Sequence, residues 1–356
     1  MHTNTNFWFG KRVLVTGHTG FKGSWLCIWL SKMGANVCGY ALAPDYMPNL
    51  YEEAKIETKI QSCIGDIRIY ETISKVILEF KPEIILHLAA QPIVRRSYTN
   101  PIETYQTNLM GTVNILDSAR KVGCVSTILN VTTDKVYENN EWVWQYRESD
   151  QLGGHDPYSS SKACSEIVTS SFRNSYFKDD GVGLASARSG NVIGGGDWST
   201  DRIIPDIISA FNQKENLKIR NPGAVRPWQY ILDTLNGYLT LAENLYENAE
   251  EYSQAWNFGP TSEEEKSVNW IGMRMAELWG VEKYQPLNEP QTLHEAQSLK
   301  LDSSKARSLL KWKPLFNINC TLENTVNWYK SWLEKDDAYE ICDRQINEYY
   351  KKADSK

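Results

Sequence analysis

The sequence contains no long apolar run and no cluster of basic residues. No stretch approaches the roughly 18 uninterrupted apolar residues that a membrane-spanning helix needs, so we expect no membrane partner. The formal net charge is −6, and phosphate backbones bind to basic surfaces, so we also expect no nucleic-acid partner. The N-terminal MHTNTNFWFGKRVLVTG lacks an apolar core of signal-peptide length, which argues against secretion.

Cysteines are few and scattered. The chain has seven, an odd number without any CxxC spacing, so the sequence predicts neither a disulfide framework nor a metal site. We therefore expect a cytoplasmic protein in a reducing compartment. Hydrophobic residues at 41% and charged residues at 23% are ordinary for a globular protein, and 356 residues suffice for two packed lobes.

Short apolar runs alternate with amphipathic stretches through the first half of the chain. Runs such as RVLVTG (12–17), EIILHLAA (83–90) and STILNVTT (126–133) lack polar alternation, which indicates strands covered on both faces. Stretches between them, such as YETISKVILEF (70–80), have the periodicity of helices. This rhythm predicts an α/β fold with a doubly wound, Rossmann-like parallel sheet.

A second, smaller mixed α/β lobe is expected after Gly190, where turn-rich polar stretches begin. We predict that residues 1–190 form the nucleotide-binding domain, to which 228–258 return, and that 191–227 and 259–356 form the substrate lobe. The last ten residues, NEYYKKADSK, should fray. The neighbouring residues His294 and Glu295 are expected to be a surface pair.

A glycine-rich loop follows the first predicted strand and opens the first helix, in VLVTGHTGFKGSWL. Its GxxGxxG spacing lets the backbone turn tightly and approach a pyrophosphate, whose charge meets the amides of the helix N-terminus. His18, inside the loop, is expected to tune cofactor binding by its bulk, and Lys22 lies either near phosphate or in solvent. The loop residues predicted to contact a dinucleotide are Gly17, Thr19, Gly20, Phe21, Lys22 and Gly23.

The residues after the second strand favour NAD over NADP. An acid there binds the free ribose, whereas an arginine would accept a 2′-phosphate. YALAPDYMP (40–48) contains no Arg or Lys, and its acid is Asp45. After the third strand, Asp66 and Ile67 lie either at the adenine edge or in an ordinary turn. Ala89, after the fourth strand, completes the predicted cofactor contacts.

Tyr158 and Lys162 stand four residues apart in DPYSSSKACSEIV, after Pro157, a residue suited to the start of a helix. This spacing puts both side chains on one helix face. A lysine cation beside a phenol, helped by the positive nicotinamide, lowers the pKa of the phenol from about 10 toward neutrality, so Tyr158 can take a proton from a sugar hydroxyl as hydride leaves for NAD⁺. The same pattern also occurs on solvated helices.

An acid and a base stand side by side in VTTDKVYENN, after the fifth predicted strand. Asp134 suits a general acid and Lys135 a general base. These roles require a protonated acid and a neutral lysine, and therefore a poorly solvated site, in which Lys162 would depress the pKa of Lys135. The alternative is a solvated pair at a strand end.

With the loop, HLAAQP, NLMGTVNIL, VTTDK and PYSSSK in this order, the chain resembles the extended short-chain dehydrogenase/reductase family across nearly its full length. Within it, stretches such as GNVIGGGDW, DRIIPD and RPWQYI are similar to those of dehydratases that act on CDP-glucose. The resemblance implies NAD as cofactor and CDP-4-keto-6-deoxy-glucose as product. Gln229-Tyr230 departs from the Gln-His that is common there. The implied catalytic residues are Thr133, Asp134, Lys135, Tyr158 and Lys162.

A nucleotide-diphosphate sugar is the expected partner. Guanidinium groups bind phosphate oxygens in a fork, which suits arginines of the loop-rich lobe, and Asn191 matches a family position that contacts the diphosphate. Four loop tryptophans, at positions 142, 144, 198 and 228, either wall the pocket or pack under loops. The predicted substrate contacts are Gln91, Arg95, Asn191, Arg202 and Arg226.

Other functions remain open at this point. An epimerase shares the Tyr–Lys pair but needs no acid–base couple, whereas dehydratases for dTDP-glucose or GDP-mannose generally carry Asp-Glu or Ser-Glu where this chain has Asp134-Lys135. A non-catalytic NAD-binding regulator would have the same fold. Glu148 is a second candidate for the base. Helices around 104–121 and 158–174 resemble those that pair in family dimers, so we expect a homodimer or a tetramer.

Overall fold

The computed structural model describes residues 5–288, 293 and 296–355, so the predicted pair His294 and Glu295 lies outside it. In chain order its strands are β1 (Arg12–Thr16), β2 (Asn36–Ala41), β3 (Gln61–Ile64), β4 (Ile84–His87), β5 (Thr127–Val131), β6 (Gly183–Ser189), β7 (Asn191–Ile193), β8 (Lys218–Ile219), β9 (Val225–Arg226), β10 (Trp228–Tyr230), β11 (Ala255–Phe258), β12 (Lys266–Ser267) and β13 (Leu287–Asn288).

The helices are α1 (Thr5–Trp8), α2 (Phe21–Lys32), α3 (Leu50–Glu53), α4 (Tyr70–Phe80), α5 (Val94–Thr99), α6 (Pro101–Tyr105), α7 (Gly111–Val122), α8 (Pro157–Phe172), α9 (Ile203–Gln213), α10 (Ile231–Glu247), α11 (Ala249–Tyr252), α12 (Val268–Trp279), α13 (Ser304–Leu309), α14 (Ile318–Leu333) and α15 (Ala338–Asp354). Short 3₁₀ turns occupy Ile56–Thr58, Asp134–Val136 and Ser262–Glu264, and π-helical turns occupy Gln106–Met110 and Arg173–Phe177. In the part of the chain described, no helix is long and apolar enough to cross a membrane.

Within the described residues, seven strands form one parallel sheet in the order β11-β6-β5-β4-β1-β2-β3. The chain builds outward from β1 to β3, then crosses back to β4 on the other side of β1 and continues to β11. This confirms the predicted doubly wound α/β fold. Ligands of such sheets bind outside the carboxyl ends of the strands, near the switch between β1 and β4.

Apolar strands explain why helices cover both faces of the sheet. Every residue of β4, β5 and β6 is buried, as expected for strands whose apolar runs have no polar alternation. One face packs against α2 through Trp25 and Trp29, together with α10. The other face packs against α4 and α7, which contribute Ile77 and Ile115.

Three short strand pairs in the described residues, β7 with β10, β8 with β13 and β9 with β12, surround the open end of the sheet. Helices α9, α12 and α14 pack on one another nearby. The strand β11 pairs with β6, and α10 packs on β5 and β6, as expected if 228–258 return to the large domain. The division into lobes stays a prediction.

The C-terminal helix α15 is ordered and docks on α2, so the prediction that the last ten residues fray was wrong. The ammonium of Lys32 pairs with the carboxylate of Asp343 at 2.5 Å, and the indole of Trp29 donates to the hydroxyl of Tyr350 at 2.6 Å. Tyr349 is buried and donates to a carboxylate oxygen of Asp233 at 3.0 Å. Tertiary contacts of Trp29, Tyr349 and Tyr350 thus hold the helix in place although it lies at the end of the chain.

Candidate active site

The glycine loop closes tightly between β1 and α2. Gly17 has a φ of +77°, and a Cβ there would lie 2.8 Å from the amide nitrogen of Ala89. A Cβ on Gly23 would lie 2.1 Å from the carbonyl oxygen of Gly17, so both positions require glycine. α2 begins at Phe21 with Gly20 as N-cap, and no described side chain caps its first amides. These amides are available to the oxygen atoms of a pyrophosphate.

His18 fills the inner side of the loop. Its buried ring packs edge-on against Tyr51, with 5.3 Å between centroids, and its Nε2 hydrogen-bonds the hydroxyl of Ser62 at 2.8 Å. A Cβ on Gly39 would lie 2.3 Å from the ring, so the imidazole sits against the backbone of β2. Burial lowers the pKa of His18 to about 4, which leaves the ring neutral at neutral pH. Its effect on cofactor binding stays a prediction.

The residues predicted at the adenine edge lie next to the loop, after β3. The carboxylate of Asp66 pairs with the guanidinium of Arg68 at 2.5 Å. Burial would raise the pKa of Asp66, but hydrogen bonds from Arg68 outweigh it and hold that pKa below its usual value. Ile67 is buried against Gly111, where a Cβ would lie 2.5 Å from its side chain. Asp66 and Ile67 fit an ordinary turn and also fit contact with the edge of an adenine ring, so their role stays a prediction.

Three further loop and strand-end residues have local partners. The hydroxyl of Thr19 donates to the carbonyl of Leu42 at 2.9 Å, and the amide of Ala89 donates to the hydroxyl of Thr16 at 3.1 Å. Asp45, the acid that favoured NAD in the sequence, is exposed and pairs with Arg96 at 3.3 Å. Asp45 therefore has a surface partner, and its position does not distinguish NAD from NADP.

A cavity of about 970 Å³ opens at the carboxyl ends of β5 and β6 and is also lined by residues of β7, β8, β9, β10 and α9. It brings together four of the five predicted catalytic residues, without Lys162, and most of the predicted substrate residues, although these come from distant parts of the chain. Its wall includes Lys22, Arg95, Thr133, Asp134, Lys135, Tyr158, Ser189, Gly190, Asn191, Asp197, Arg202, Arg220, Arg226 and Trp228.

Asp134 and Lys135 lie on a single 3₁₀ turn that follows β5, with Thr133 as its N-cap. The hydroxyl of Thr133 donates to Oδ1 of Asp134 at 3.0 Å and accepts from the amide of Lys135 at 3.3 Å. Asp134 is 2% exposed, and its Oδ2 has no hydrogen-bond partner among the described residues. A Cβ on Gly190 would lie 3.2 Å from that oxygen, so the glycine makes room for the carboxyl. The acid therefore presents one unused oxygen in a dry site.

The Tyr158–Lys162 pair lies in the first turns of α8, which is capped by Asp156. The ammonium of Lys162 donates to the carbonyl of Val131 at 3.0 Å, and burial lowers the pKa of Lys162 to about 8. Burial raises the pKa of Tyr158 to about 12, although a hydrogen bond with Thr133 and the charge of Arg202 lower it. Within the protein itself, desolvation of the phenolate exceeds the effect of its neighbours, so a phenol pKa near neutrality, for which the positive nicotinamide is expected to help, stays a prediction.

Lys22 extends from the glycine loop into the cavity and is not a solvated surface lysine. Its ammonium donates to the hydroxyl of Ser189, at the end of β6, over 3.1 Å and lies 5.9 Å from the ring centroid of Tyr238. Burial, with the positive charges of Arg202 and Lys162, lowers the pKa of Lys22 to about 7. Contact with a phosphate stays a prediction.

Two predicted arginines, Arg202 and Arg226, line the cavity together with Asn191. The guanidinium of Arg202 pairs with the carboxylate of Asp197 at 3.1 Å. Arg226 is buried and donates to the main-chain carbonyl of Ala296 at 2.6 Å. Both guanidinium groups are therefore held in place by acceptors of the protein while they face the cavity.

Arg95 also lines the cavity. It shares Asp201 with Arg220, an arginine that was not predicted from the sequence. Arg95 and Arg220 lie 3.4 Å and 2.9 Å from the same carboxylate oxygen. The wall of the cavity thus includes the guanidinium groups of Arg95, Arg202, Arg220 and Arg226. Arg220 stands in a plain polar stretch, LKIRNPG, and no local pattern distinguishes it from a surface arginine.

Gln91, a candidate for substrate contact, and Glu148, the second candidate for the base, do not line the cavity. The side-chain amide of Gln91 donates to the carbonyl of Ile93 at 3.1 Å and to the hydroxyl of Thr104 at 3.0 Å, and its oxygen accepts from the amide of Ile93. Its hydrogen-bonding groups are used to hold its own loop. Glu148 accepts from the amide of Asn257 at 2.9 Å and lines a second cleft. In this structure the polar groups of Gln91 hold the loop and Glu148 lies at the second cleft, so a role of either residue at the substrate stays a prediction.

The loop tryptophans have different environments. Trp228 is buried in the cavity wall and donates its indole N–H to the carbonyl of Lys266 at 2.7 Å. Trp198 packs under a loop among other aromatic rings. Trp142 and Trp144 are exposed. Among the described residues, no three His, Cys, Asp or Glu side chains converge as metal ligands would, and the cysteines are free.

Comparison with known proteins places this geometry in a family. The model of the family described as GDP-mannose 4,6 dehydratase matches residues 14–325. The chain is 50% identical over 349 residues, 97% of each protein, to CDP-glucose 4,6-dehydratase of Salmonella typhimurium. The resemblance drawn from the motifs is thereby confirmed.

Solved structures share the fold at lower identity. UDP-glucose 4-epimerase of Thermotoga maritima, solved with UDP-glucose, has a TM-score of 0.80 at 23% identity, over 90% of this chain and 99% of that one. DesIV, a dTDP-glucose 4,6-dehydratase of Streptomyces venezuelae solved with NAD and TYD bound, has a TM-score of 0.78 at 23% identity, over 90% and 97%. By its family model and its half-identical relative, the chain belongs to the GDP-mannose 4,6 dehydratase family, a branch of the extended short-chain dehydrogenase/reductases.

Proposed function

We propose that the protein is a CDP-glucose 4,6-dehydratase that uses NAD⁺ and regenerates it in each turnover. The observation that carries the proposal is the meeting of Thr133, Asp134, Lys135 and Tyr158 on one cavity beside the glycine loop. An acid–base couple next to an oxidising centre is what water loss requires and epimerisation does not. The name of the Salmonella relative supports CDP-glucose as the substrate.

The glycine loop fits the cofactor. A Cβ at Gly17 or Gly23 would fill the space in which the loop turns, and the first amides of α2 suit a pyrophosphate. We propose that these amides, with Thr19, Gly20 and Phe21, hold the phosphates, and that Asp66, Ile67 and Ala89 border the adenosine end. NAD is favoured over NADP because structures of the same fold are described with NAD bound.

The first proton transfer falls to Tyr158. When bound, NAD⁺ supplies a positively charged ring that takes hydride from sugar carbon 4 and later returns it to carbon 6. Tyr158 removes the proton of the carbon 4 hydroxyl while Thr133, with which it shares a hydrogen bond, steadies the same oxygen. Because burial raises the pKa of Tyr158 to about 12, the phenol acts as a base only where cations oppose that burial. The charge of Arg202 does so, and Lys162 lies one helical turn further along α8.

Water loss uses the adjacent acid and base. The ketone at carbon 4 acidifies the hydrogen on carbon 5, which Lys135 removes. Asp134 gives a proton to the hydroxyl that leaves carbon 6 as water, and its buried, unused Oδ2 is the oxygen placed for this transfer. Lys135 then returns a proton to carbon 5. The two residues act on different atoms, which suits neighbours on a 3₁₀ turn that both face the cavity.

The outer end of the cavity suits the nucleotide diphosphate. Arg202 and Arg226 are preorganised by carboxylate or carbonyl acceptors, so they bind phosphate oxygens without a large loss of side-chain freedom. Arg95 and Arg220 add charge beside Asp201, and Asn191 lines the same cavity. We propose that the sugar points inward and the cytidine outward.

The test is substrate discrimination. The purified protein with NAD⁺ is incubated separately with CDP-glucose, dTDP-glucose, UDP-glucose and GDP-mannose, and each product is analysed by mass spectrometry. Loss of water from CDP-glucose alone is the expected result. Loss of water from another sugar would move the assignment within the family, an unchanged mass with an altered carbon 4 configuration would indicate an epimerase, and recovery of all four sugars unchanged would indicate a regulator.

We also propose a cytoplasmic homodimer. The cysteines of the described residues are free, in keeping with a reducing compartment. Large apolar side chains are exposed on α6, on the π-helical turn after it and on α8, namely Ile102, Met110 and Ile167. Exposure of several large apolar side chains to water is unfavourable, and a second subunit would bury them. Light scattering after size exclusion should report a dimer or a tetramer, and Ile102→Lys with Ile167→Lys should yield monomers.

A further inference from the structure

The 3₁₀ turn that carries the acid and the base lies between two side chains that reach the same buried ion pair. Before the turn, the hydroxyl of Thr132 donates to Oε1 of Glu166 at 2.5 Å. After the turn, the hydroxyl of Tyr137 accepts from Nη1 of Arg188 at 2.8 Å. The guanidinium of Arg188 and the carboxylate of Glu166 are themselves paired at 2.9 Å, and both are buried. A single ion pair therefore holds the chain on both sides of the turn.

Tyr137 is a buried phenol with contacts to three parts of the chain that are distant in sequence. Its hydroxyl donates to Oδ1 of Asn257, on the edge strand β11, at 2.7 Å. The guanidinium of Arg188, from β6, also lies 5.0 Å from the centroid of its ring. The ring of Tyr146 stacks on it with 5.1 Å between centroids. The same phenol lines the catalytic cavity, so a fixed side chain there borders the space of the sugar.

Main-chain hydrogen bonds hold this region independently of the hydroxyl. The amide of Gly153 donates to the carbonyl of Val136 at 2.8 Å, and Tyr137 forms an antiparallel bridge with Leu152. The side chain of Val136 is buried. Exchange of the phenol for a phenyl ring therefore keeps the local fold and the stacking. It removes the link to the ion pair, and through that pair the link to α8, the helix of the catalytic phenol.

From these contacts we infer that Tyr137 is a positioning residue for the loss of water, which sets the turn so that its acid and base meet the sugar. The inference rests on the proposed function. Oxidation at carbon 4 uses Tyr158, which α8 holds, and Thr133, which precedes the turn. Water loss uses Asp134 and Lys135, both inside the turn. Because a misplacement of about 1 Å can cost about 10²-fold in rate, release of the turn at Tyr137 slows water loss more than oxidation.

The test separates the two steps in a single turnover of the protein with NAD⁺ and CDP-glucose. Stopped-flow absorbance of the reduced cofactor gives the rate of oxidation, and rapid quenching with mass spectrometry gives the rate of water loss. In Tyr137→Phe, oxidation should stay within about twofold of wild type, whereas water loss should be about tenfold slower, because a hydrogen bond to a charged group is lost. A 4-keto-glucose nucleotide that has not lost water should accumulate.

Tyr349→Phe is the matched control, since it also removes a buried hydroxyl. That hydroxyl donates to Asp233 at 3.0 Å, and Tyr349 does not line the cavity, so the melting temperature should fall by a similar amount while both rates stay unchanged. Equal slowing of both steps in Tyr137→Phe would indicate a general structural role and would overturn the inference, as would an unchanged rate of water loss. A wild-type protein that never loses water from CDP-glucose would refute the proposed function itself, and the inference with it.

Discussion

Arg188 and Glu166 form a two-pronged ion pair beneath the catalytic cavity, with Nε–Oε1 and NH2–Oε2 distances of 2.9 Å and 3.0 Å. Both side chains are 4% exposed. The same carboxylate accepts hydrogen bonds from the hydroxyls of Thr132 and Ser186, each at 2.5 Å. The pair therefore joins α8, which carries Tyr158, to the ends of β5 and β6.

Breaking this pair should cost much stability. Glu166→Gln leaves the Arg188 guanidinium buried without its counter-charge, and loss of one partner of a buried pair typically costs about 3–5 kcal/mol of unfolding free energy. Urea unfolding followed by tryptophan fluorescence measures the loss. Glu79→Gln, which removes the exposed Lys75–Glu79 pair, is the control and should change it by less than about 0.5 kcal/mol. A loss below about 1 kcal/mol for Glu166→Gln would contradict a structural role for the pair.

Asp134→Asn should allow oxidation at carbon 4 but stall water loss. Asparagine keeps the size of the side chain and its contact with Thr133 but has no carboxylic proton to give, and general acids contribute about 10²–10⁴-fold in rate. Rapid quenching with mass spectrometry should detect a 4-keto-glucose nucleotide that has not lost water. Tyr158→Phe is the comparison and should stop before that intermediate. Normal turnover by Asp134→Asn would show that another group is the acid.

Lys135→Met should suppress exchange of the carbon 5 hydrogen with solvent deuterium. Methionine matches the length of the stem but cannot take a proton, so a loss of about 10²-fold or more in exchange rate is expected. Nuclear magnetic resonance of sugar recovered from D₂O gives the rate. The exposed Lys178→Met serves as the control and should behave as wild type. Exchange at the normal rate would place the base elsewhere in the cavity wall, to which Glu148 does not belong.

Acid should destabilise the protein through His87. Its ring lies between the hydroxyls of Thr16 and Thr112, and burial, with the charge of Lys162, lowers the pKa of His87 to about 3. In the unfolded chain the imidazole takes up a proton near pH 6.5, so between pH 6.5 and 3 the unfolded state binds more protons and stability falls as pH falls.

The measurement is a difference between variants, which removes the contributions of other groups. From pH 7 to pH 5 the wild-type protein should lose about 1–2 kcal/mol more unfolding free energy than His87→Gln. His155→Gln, at an exposed histidine, should follow wild type. Equal pH dependence in wild type and His87→Gln would mean that the buried imidazole is not the group that senses acid.

Local patterns predicted most of the fold. The apolar runs of β1, β4 and β5 specify strands because an uninterrupted buried run can be satisfied only between two layers of helices. The predicted return of 255–259 to the sheet agrees with the pairing of β11 and β6. The C-terminal helix was misjudged because its order comes from partners more than 300 residues away, such as Trp29 with Tyr350.

For the site, the sequence by itself determined which chemical groups are present, since the spacing of Gly17, Gly20 and Gly23 and of Tyr158 and Lys162 is a local property of one turn or one helix. Only the tertiary structure determined how buried these groups are and which neighbours act on them. Whether Asp134 is dry, whether the phenol of Tyr158 is easy to ionise and which way Lys22 extends depend on desolvation and on charges from other elements. These interactions weaken with distance in space, and the order of residues along the chain does not specify which residues are close in space.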